Sequence, residues 1–390
     1  MAVNQLSIEQ AYTLVNAIHK MATGREDMQA TDLSSFISVA QSTLAVGYEP
    51  LLNAISQVLS KTIIAVRPYD EKFKGLEMTA ERWGGIIRKI NFADREAIED
   101  PTFELVEGEA VDQYTIRKPN VLQTNYVGSD TYMGSYTIST RALDVAFSSP
   151  TEFASFMSGL MQHFANERTQ WLEGLKRGIL ANTIGADNII GGTKVVKLLT
   201  EFNTETGNTY TKADIMGNPM TYRQFMEWAY ARISKVSRLM TERSQLFQQV
   251  IDDKPIMRHT PVEDQRVYMS ADFLGKMEAL VLADTYNDNF LKYADVEAVN
   301  YWQAINQPEE VNVTPVYVDN TGAVVTGEAQ AMTDVIGIIF DRDAMGYNIY
   351  QDSLETSPYN AKGQYYNLFH HVRVQLQNDL TEKSCIFLLA

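Results

Sequence analysis

Cysteine and histidine are scarce in this chain, and their scarcity removes several classes of chemical site. Among 390 residues there are one cysteine, Cys385, and five scattered histidines. A single cysteine cannot form an intrachain disulfide, and no CxxC pair precedes it to bind metal or exchange electrons. We interpret Cys385 as a small apolar residue of a terminal strand, and we predict neither a metal nor a cofactor.

Linear motifs of catalysis are missing as well. The sequence contains no HExxH, GxSxG or GxGxxG, which are typical of metalloproteases, hydrolases and dinucleotide-binding enzymes. The letters GGTK at 191–194 are in the wrong order for a phosphate-binding loop and favour a turn, and DRD at 341–343 lacks a third acid for a cation site. His370 and His371 point to opposite faces of a strand, so they are poorly placed to bind one metal together. We therefore predict that the protein is not an enzyme.

Basic residues are outnumbered, and no apolar run is long. The formal net charge is -16, from 49 acidic and 33 basic side chains. Such a chain is a poor direct reader of nucleic acid, because phosphate binding needs clustered Lys and Arg, although acidic subunits can still enclose DNA. The longest apolar runs, such as VIGIIF at 335–340, fall far short of the ~20 residues that cross a bilayer. The N-terminal sequence lacks the pattern of a secretory signal, so we expect synthesis in a reducing cytoplasm.

What the sequence does contain begins with helices and a hairpin. Apolar residues recur three and four positions apart at 6–21, 33–46 and 51–59, which predicts weakly amphipathic helices that need a partner. The β-branched run at 62–68 predicts a strand. Residues 83–139 alternate with the period of a strand and are rich in turn residues, which predicts a long β-hairpin. Polar residues on both its faces indicate that it has no core of its own.

The strongest local signal is a helix start. Ser149, Pro150 and Glu152 combine an N-cap, a first-turn proline and the acid of a capping box. The apolar stripe that follows predicts a helix over 150–181, on the order of 45 Å long, with Gly185 beyond its end. Three glycines lie within it: Gly159, Gly174 and Gly178. They lower helix propensity, which is consistent either with hinges or with close packing against a strand.

Helices and strands are both predicted after the long helix. The Gly- and Thr-rich stretch at 185–219 favours hairpin and loop, and helical spacing resumes after Pro219. A short strand at 266–270 leads into a further helix, and the C-terminal residues alternate as strands. The sequence therefore predicts a mixed fold with one very long helix at its middle.

This order of elements resembles the Hong Kong 97-type fold of tailed-phage major capsid proteins. The resemblance covers essentially the whole chain and rests on passages such as RWGGIIRKI, RVYMSADFLGKMEAL and IIFDRDAMGYNIYQDSLETSP. It implies an α+β fold with an N-terminal arm, an extended β-hairpin (the E-loop), a peripheral domain with a spine helix, and an axial domain. The expected boundaries are 1–70 for the arm, 71–142 for the E-loop, 143–211 for the peripheral domain, 212–345 for the axial domain, and 346–390 for strands that return to the peripheral domain.

The resemblance implies a structural role. The chain is expected to self-assemble into pentamers and hexamers of an icosahedral or prolate shell, which encloses double-stranded DNA without reading its sequence. The expected partners are further copies of the chain, a scaffold protein and a portal, with a decoration protein left open and no membrane. The expected location is the virion capsid, after assembly in the host cytoplasm.

Two regions are expected to carry assembly. The hairpin should lie over a neighbouring subunit, with its charges in intersubunit ion pairs or on a solvated face. The candidates for that interface are Trp83, Arg88, Lys89, Asp94, Arg95, Glu96 and Glu99. The long helix should act as a lever during shell expansion, with hinges at its three glycines. Two alternatives stay open at this point: a bacterial nanocompartment (encapsulin-like) shell protein and a cytosolic α/β enzyme.

Overall fold

The computed structural model describes most of the chain after residue 115 and parts of the region before it. The described residues are 8–47, 50–51, 54–55, 72–78, 86–93, 100, 102, 105–111, 114, 116–252, 256–281 and 296–390. The predicted helix at 51–59 lies largely outside them, and the predicted strand at 62–68 lies wholly outside them. No helix of the described part is both long and apolar enough to cross a membrane.

Helices and strands are both abundant in the described part of the chain. The α-helices are α1 (Ile8–Thr23), α2 (Leu33–Ala45), α3 (Thr140–Ala146), α4 (Pro150–Ile190), α5 (Leu198–Thr206), α6 (Lys212–Gly217), α7 (Pro219–Met240) and α8 (Ala271–Val281). The longer strands are β1 (Ile86–Phe92), β2 (Val121–Val127), β3 (Asp130–Ser139), β5 (Gln265–Ser270), β11 (Val335–Asp341), β12 (Met345–Thr356), β13 (Tyr365–Asn378) and β14 (Ser384–Leu388). The shorter strands are β4 (Val195–Lys197), β6 (Val296–Val299), β7 (Val311–Val313), β8 (Val316–Val318), β9 (Val324–Thr326) and β10 (Gln330–Met332).

The long helix α4 begins at the predicted residue and ends later; its start has the predicted N-cap and first-turn proline but not the reciprocal bond of a capping box. Ser149 Oγ accepts a hydrogen bond of 3.2 Å from the backbone N–H of Glu152, and the helix runs for 41 residues, or roughly 60 Å. The predicted end near 181 is wrong. Gly185 lies inside the helix. A Cβ there would come within 2.5 Å of Val313, so the glycine permits close packing. The helix ends instead at Gly191, whose φ of 66° suits a residue without a side chain.

Helix α4 joins two hydrophobic cores. Its first half, including Phe153 and Phe164, packs with α1, α2 and β3, so the N-terminal helices find the partner that their amphipathic pattern requires. Its second half, including Leu172 and Ile184, packs with β11, β12 and β13. The helix therefore connects the N-terminal helices to the sheets.

A mixed five-stranded sheet packs against the second half of α4. Its order is β4-β14-β11-β5-β6, with β11 antiparallel to both its neighbours and the outer pairs parallel. Every residue of β11 is buried because both sheet faces are covered. Ile338 and Phe340 face the second core, whereas Ile339 faces a third core that includes residues of α7 and α8.

A three-stranded antiparallel sheet, ordered β12-β13-β3, packs on α4. Tyr132 of β3 makes an edge contact with the ring of Trp171 at 5.0 Å, and Tyr136 does the same with Phe164 at 6.0 Å. These rings fix the direction of the helix against the sheet. The C-terminal strands thus belong to two sheets, because β12 and β13 are in the three-stranded sheet and β14 is in the five-stranded one. The domain boundaries stay a prediction.

The prediction of hairpin and loop at 185–219 is wrong. This stretch contains the end of α4, strand β4 and the helices α5 and α6. Some of its Gly and Thr residues lie at helix ends rather than in a hairpin. Thr211 and Asp214 form a capping box at the start of α6, and Gly207, at φ 69°, ends α5 in the left-handed conformation.

Candidate assembly surfaces

The predicted hairpin exists, but its paired strands are shorter than the sequence indicated. Strands β1 and β2 pair antiparallel from Ile86 opposite Val127 to Phe92 opposite Val121. The segment at 130–139, which the sequence analysis included in the hairpin, pairs with β13 instead. The chain leaves the hairpin at Gly128, where φ is 108°, a value that favours glycine. We call the paired residues 86–92 and 121–127 the hairpin base, and we call the described residues 105–111 the hairpin tip.

The inner face of the hairpin base is attached to its own subunit. Lys89 Nζ lies 2.6 Å from a carboxylate oxygen of Asp379 and also binds Glu382. The carboxylates are buried, with 6% and 8% of their side chains exposed. Because a buried charge without a partner is costly, Lys89 ties the hairpin to the segment between β13 and β14.

Further polar contacts complete this anchor. Arg258 lies 2.7 Å from Glu382 and donates to the backbone carbonyl of Thr381 at 2.9 Å. From the other strand of the hairpin, the backbone carbonyl of Tyr126 accepts a hydrogen bond of 3.0 Å from the Gln375 side chain. Two cations and two carboxylates are therefore assembled from β1, the loop before β5 and the C-terminal segment.

The protonation equilibria of the anchor follow from burial and pairing. Burial acts to raise the pKa of Asp379, but the Lys89 ammonium and the hydrogen bonds from Lys89 and Thr381 outweigh it and hold that pKa below its ordinary value. Burial also raises the pKa of Glu382, and the two cations only partly offset this rise. The pKa of Lys89 rises although burial opposes it, because Asp379 and Glu382 stabilise the ammonium form.

The outer face of the hairpin base has a different character. Alternation along β1 and β2 turns Arg88, Ile90, Phe92, Val121 and Val127 outward, and all five are exposed. Phe92 is 63% exposed and lies opposite Val121 across the strands. The polar Asn125 and Gln123 lie on the same face, opposite Arg88 and Ile90. Exposed apolar side chains as large as Phe92 on such a face are typical of a surface that a partner covers.

The hairpin tip also exposes apolar side chains. Leu105 is 68% exposed, and Val106 and Val111 are likewise exposed. None of them belongs to the hydrophobic cores of the described residues. The tip therefore gains no hydrophobic stabilisation from those cores.

The predicted interface residues fall into three groups. Trp83, Asp94, Arg95, Glu96 and Glu99 lie outside the described residues. Arg88 is on the exposed outer face, whereas Lys89 is committed to the intrachain anchor. An intersubunit role for these residues stays a prediction, and the contacts that the structure shows for Lys89 belong to its own subunit.

Sequence reasoning missed the other residues of the anchor. Arg258, Asp379 and Glu382 lie far from the hairpin in sequence and are brought to it only by the fold. The one available signal was the polar run NDLTEKS at 378–384, placed between two apolar strands. Such a run indicates a turn, and nothing local distinguishes a buried turn from a solvated one.

The three candidate hinge glycines share one side of α4. Gly159, Gly174 and Gly178 are exposed, and a Cβ at any of them would meet no atom of the described residues within 4 Å. Close packing against a strand is therefore not the reason for these glycines. These glycines give α4 three interior positions of low helix propensity on its solvent-exposed side.

The histidines and acids that could suggest chemistry are used structurally. His370 Nε2 lies 2.6 Å from Asp352, and Arg168 of α4 contacts the other oxygen of that carboxylate at 2.9 Å. Asp341, from the DRD stretch, accepts a hydrogen bond of 2.7 Å from Thr260. Across the described ranges, no group of three or more His, Cys, Asp or Glu side chains is arranged to hold a metal ion.

Comparison with known proteins agrees with this architecture. A chain in the capsid structure of Staphylococcus phage Andhra matches with a TM-score of 0.54 and 11% identity, over 82% of this chain and 84% of that one. A chain in the structure of the head fiber and inner core protein gp22 of native bacteriophage P68 matches with a TM-score of 0.54 and 10% identity, over 82% and 85%. At these identities the matches show a shared fold, which confirms the expected Hong Kong 97-type architecture. No curated protein matches significantly in sequence.

The sequence profile of one family matches nearly the whole chain, from residue 15 to residue 388. That family has a structural, non-enzymatic role in the virion capsid, as a shell of identical subunits. The comparisons support neither a nanocompartment shell protein nor an enzyme. The chain belongs to the Phi29-like phage major capsid protein family.

Proposed function

We propose that this capsid subunit forms pentamers and hexamers around double-stranded DNA, and that its hairpin lies over a neighbouring subunit in the shell. The observation that supports contact between the hairpin and a neighbour is the difference between the two faces of the hairpin. The inner face is anchored by Lys89, whereas the outer face and the tip expose Phe92 and Leu105. Contact with a neighbour would remove these apolar side chains from water.

The same proposal assigns roles to the other regions. The axial part, at 212–345, meets its symmetry mates at the centre of each capsomer, and repeated heterologous contacts close the rings. Assembly takes place in the host cytoplasm with a scaffold protein and a portal. The acidic net charge of -16 fits a wall that holds DNA without binding its phosphates tightly.

Polar substitution of the tip should block assembly without unfolding the subunit. In Leu105→Ser/Val106→Ser, particle formation should fall at least about tenfold, because each lost apolar contact at an interface is worth roughly 1.5 to 3 kcal/mol. Size-exclusion chromatography and negative-stain microscopy report the particles, and urea unfolding of the unassembled subunit reports the fold.

The matched control is Leu105→Met/Val106→Ile, which keeps the tip apolar and should assemble normally. Both double variants should unfold at the urea concentration of the unmodified chain, because the replaced side chains are exposed. Full assembly of the serine variant would contradict a docking role for the tip.

The exposed glycines of α4 support a lever that bends as the shell expands. Gly174→Ala should stabilise the unassembled subunit by about 0.5 to 1 kcal/mol, because alanine has the higher helix propensity and meets no neighbour there. Gly185→Ala, in the same helix, should instead destabilise it by about 1 to 3 kcal/mol through the clash with Val313. Urea unfolding measures both changes.

The hinge itself is tested in the assembled particle. Shells built from Gly159→Ala/Gly174→Ala/Gly178→Ala should expand more slowly than unmodified shells, because each hinge position is stiffened. Structures of the unmodified shell before and after expansion provide the direct comparison. A long helix that is equally straight in both states would end the lever proposal.

A further inference from the structure

An apolar cavity lies where the helices α6, α7 and α8 meet the five-stranded sheet. Its walls are formed by Leu199 of α5, Ile215 and Met216 of α6, Phe225 and Met226 of α7, Phe273 of α8, Ile336 of β11, and Leu389 after β14. Apart from Met216, these side chains belong to the third hydrophobic core or pack against it. Because protein interiors are close-packed, an opening of this kind inside a core is unusual.

The size of the cavity limits what it can hold. Its volume is about 50 Å³. A water molecule needs roughly 10 to 15 Å³, and an apolar cavity of roughly 150 Å³ takes up a whole benzene molecule. The space therefore fits a short aliphatic chain or part of one ring, and the rest of a ligand would lie at the mouth. The apolar walls offer water few hydrogen bonds, so transfer of an apolar group into the cavity is favourable.

The mouth of the cavity is polar. Four charged side chains and one phenol lie around it: Lys212, Tyr222, Asp272, Lys276 and Glu309. Lys276 is paired with Asp272 one turn before it in α8, and Lys212 is paired with Asp334. The cations at the mouth are thus already neutralised, and Glu309 adds a further negative charge. Such a mouth favours a neutral polar group over an anion.

Tyr222 supplies a hydrogen-bonding group at this mouth. Across the described part of the chain, its hydroxyl forms no hydrogen bond with a protein group. Burial raises the pKa of this phenol; the Lys276 ammonium acts in the opposite direction, and the carboxylates of Asp272 and Glu309 add to the rise. The hydroxyl therefore keeps its proton at neutral pH and is able both to donate and to accept.

From these features we propose that the cavity binds a small neutral molecule with a short aliphatic or aromatic body and one hydroxyl group, such as a phenol or a short-chain alcohol. The body contacts the apolar walls, and the hydroxyl bonds to Tyr222 at the mouth. Met216 and Met226 adapt to the ligand, because unbranched thioether side chains change shape at low cost and contact aromatic rings favourably. A bound molecule connects α6 to α7 and α8, so it stabilises this part of the subunit by mass action. This site is separate from the surfaces proposed for assembly.

Titration of the unassembled full-length subunit with phenol provides the first test. We expect a dissociation constant on the order of 1 mM, with shifts of the methyl NMR signals of Ile215, Met226 and Ile336 and a higher urea midpoint. Benzoate, the anionic analogue, should bind at least about tenfold more weakly, because its charge would lie beside the carboxylates of the mouth. Signals that move only elsewhere, or equal binding of phenol and benzoate, would overturn the proposal.

Variants of the cavity provide the second test. Ile215→Phe adds volume where the cavity lies, so it should weaken phenol binding at least about tenfold without lowering the urea midpoint. Met220→Phe is the matched control, because Met220 is 75% exposed and is not part of the wall. Tyr222→Phe should weaken phenol binding about three- to tenfold through the lost hydrogen bond and leave benzene binding unchanged. Unchanged phenol binding in both Ile215→Phe and Tyr222→Phe would contradict the site.

Assembled shells distinguish a free molecule from a side chain of another copy, which has the same apolar chemistry. Shells of the unmodified chain should bind phenol as tightly as the subunit does. A loss of at least about tenfold in affinity on assembly would show that a neighbouring copy fills the cavity. That result would overturn the proposal of a free ligand and leave the proposed shell intact.

Discussion

Replacement of Lys89 by methionine is expected to destabilise the subunit by about 3 kcal/mol. The side chain keeps its length, but the ammonium that neutralises Asp379 and Glu382 is lost. Asp379 would remain almost wholly buried, with hydrogen bonds from Thr381 as its main compensation. An unpaired buried carboxylate either stays charged at a high cost or takes up a proton, and both responses weaken the folded state.

Arg88→Met is the matched control for this experiment. Arg88 is the preceding residue of the same strand, is also basic and faces outward, so its loss should change the stability of the unassembled subunit by less than about 0.5 kcal/mol. Urea unfolding of the subunit compares the two variants. Equal effects, or a loss below about 1 kcal/mol for Lys89→Met, would contradict the anchor.

Hydrogen exchange should locate the damage. In Lys89→Met, amides of β1 and β2 are expected to exchange faster, because the ladder would open without first unfolding the rest of the subunit. Amides of β11, which is buried along its whole length, should change much less. The ion cluster of the anchor thus holds the hairpin base in place, and with it the outer face that is proposed to contact a neighbour.

Much of the architecture was predictable because its signals are local. Asp32 and Ser35 form a capping box at the start of α2, and Ser149 begins α4 at the predicted residue. The two N-terminal helices match their predicted ranges within about two residues, since apolar spacing alone defines them. The order of elements then indicated the fold, which the structural matches confirm.

The remaining features depend on residues that are distant in sequence. The end of α4 was predicted too early because Gly185 looks like a terminator, and only the approach of Val313 shows that it is a packing site. In the same way, Arg88 and Lys89 are indistinguishable as neighbouring basic residues until the fold places Asp379 below one of them. Local patterns indicate that a face is charged but do not identify its partner.

The largest single effect on stability is expected at the C-terminal end of α4. Lys194, in the GGTK stretch that the sequence analysis interpreted as a turn, lies 2.9 Å from Asp187, and the two side chains are 1% and 0% exposed. Lys194 also donates to Ser384 of β14 at 2.6 Å. Since Asp187 lies near the negative end of the helix dipole, this cation offsets both an adverse dipole and a buried charge.

Lys194→Met should therefore destabilise the unassembled subunit by about 3 to 5 kcal/mol, and the exposed Lys197→Met serves as the matched control with little effect. The double variant Lys194→Met/Asp187→Leu should recover most of the loss, because an apolar pair leaves no charge unsatisfied. Urea unfolding of all three variants and the unmodified chain measures the coupling. If the double variant is as unstable as Lys194→Met, the hydrogen bond from Lys194 to Ser384, and not the ion pair with Asp187, joins the long helix to β14 of the five-stranded sheet.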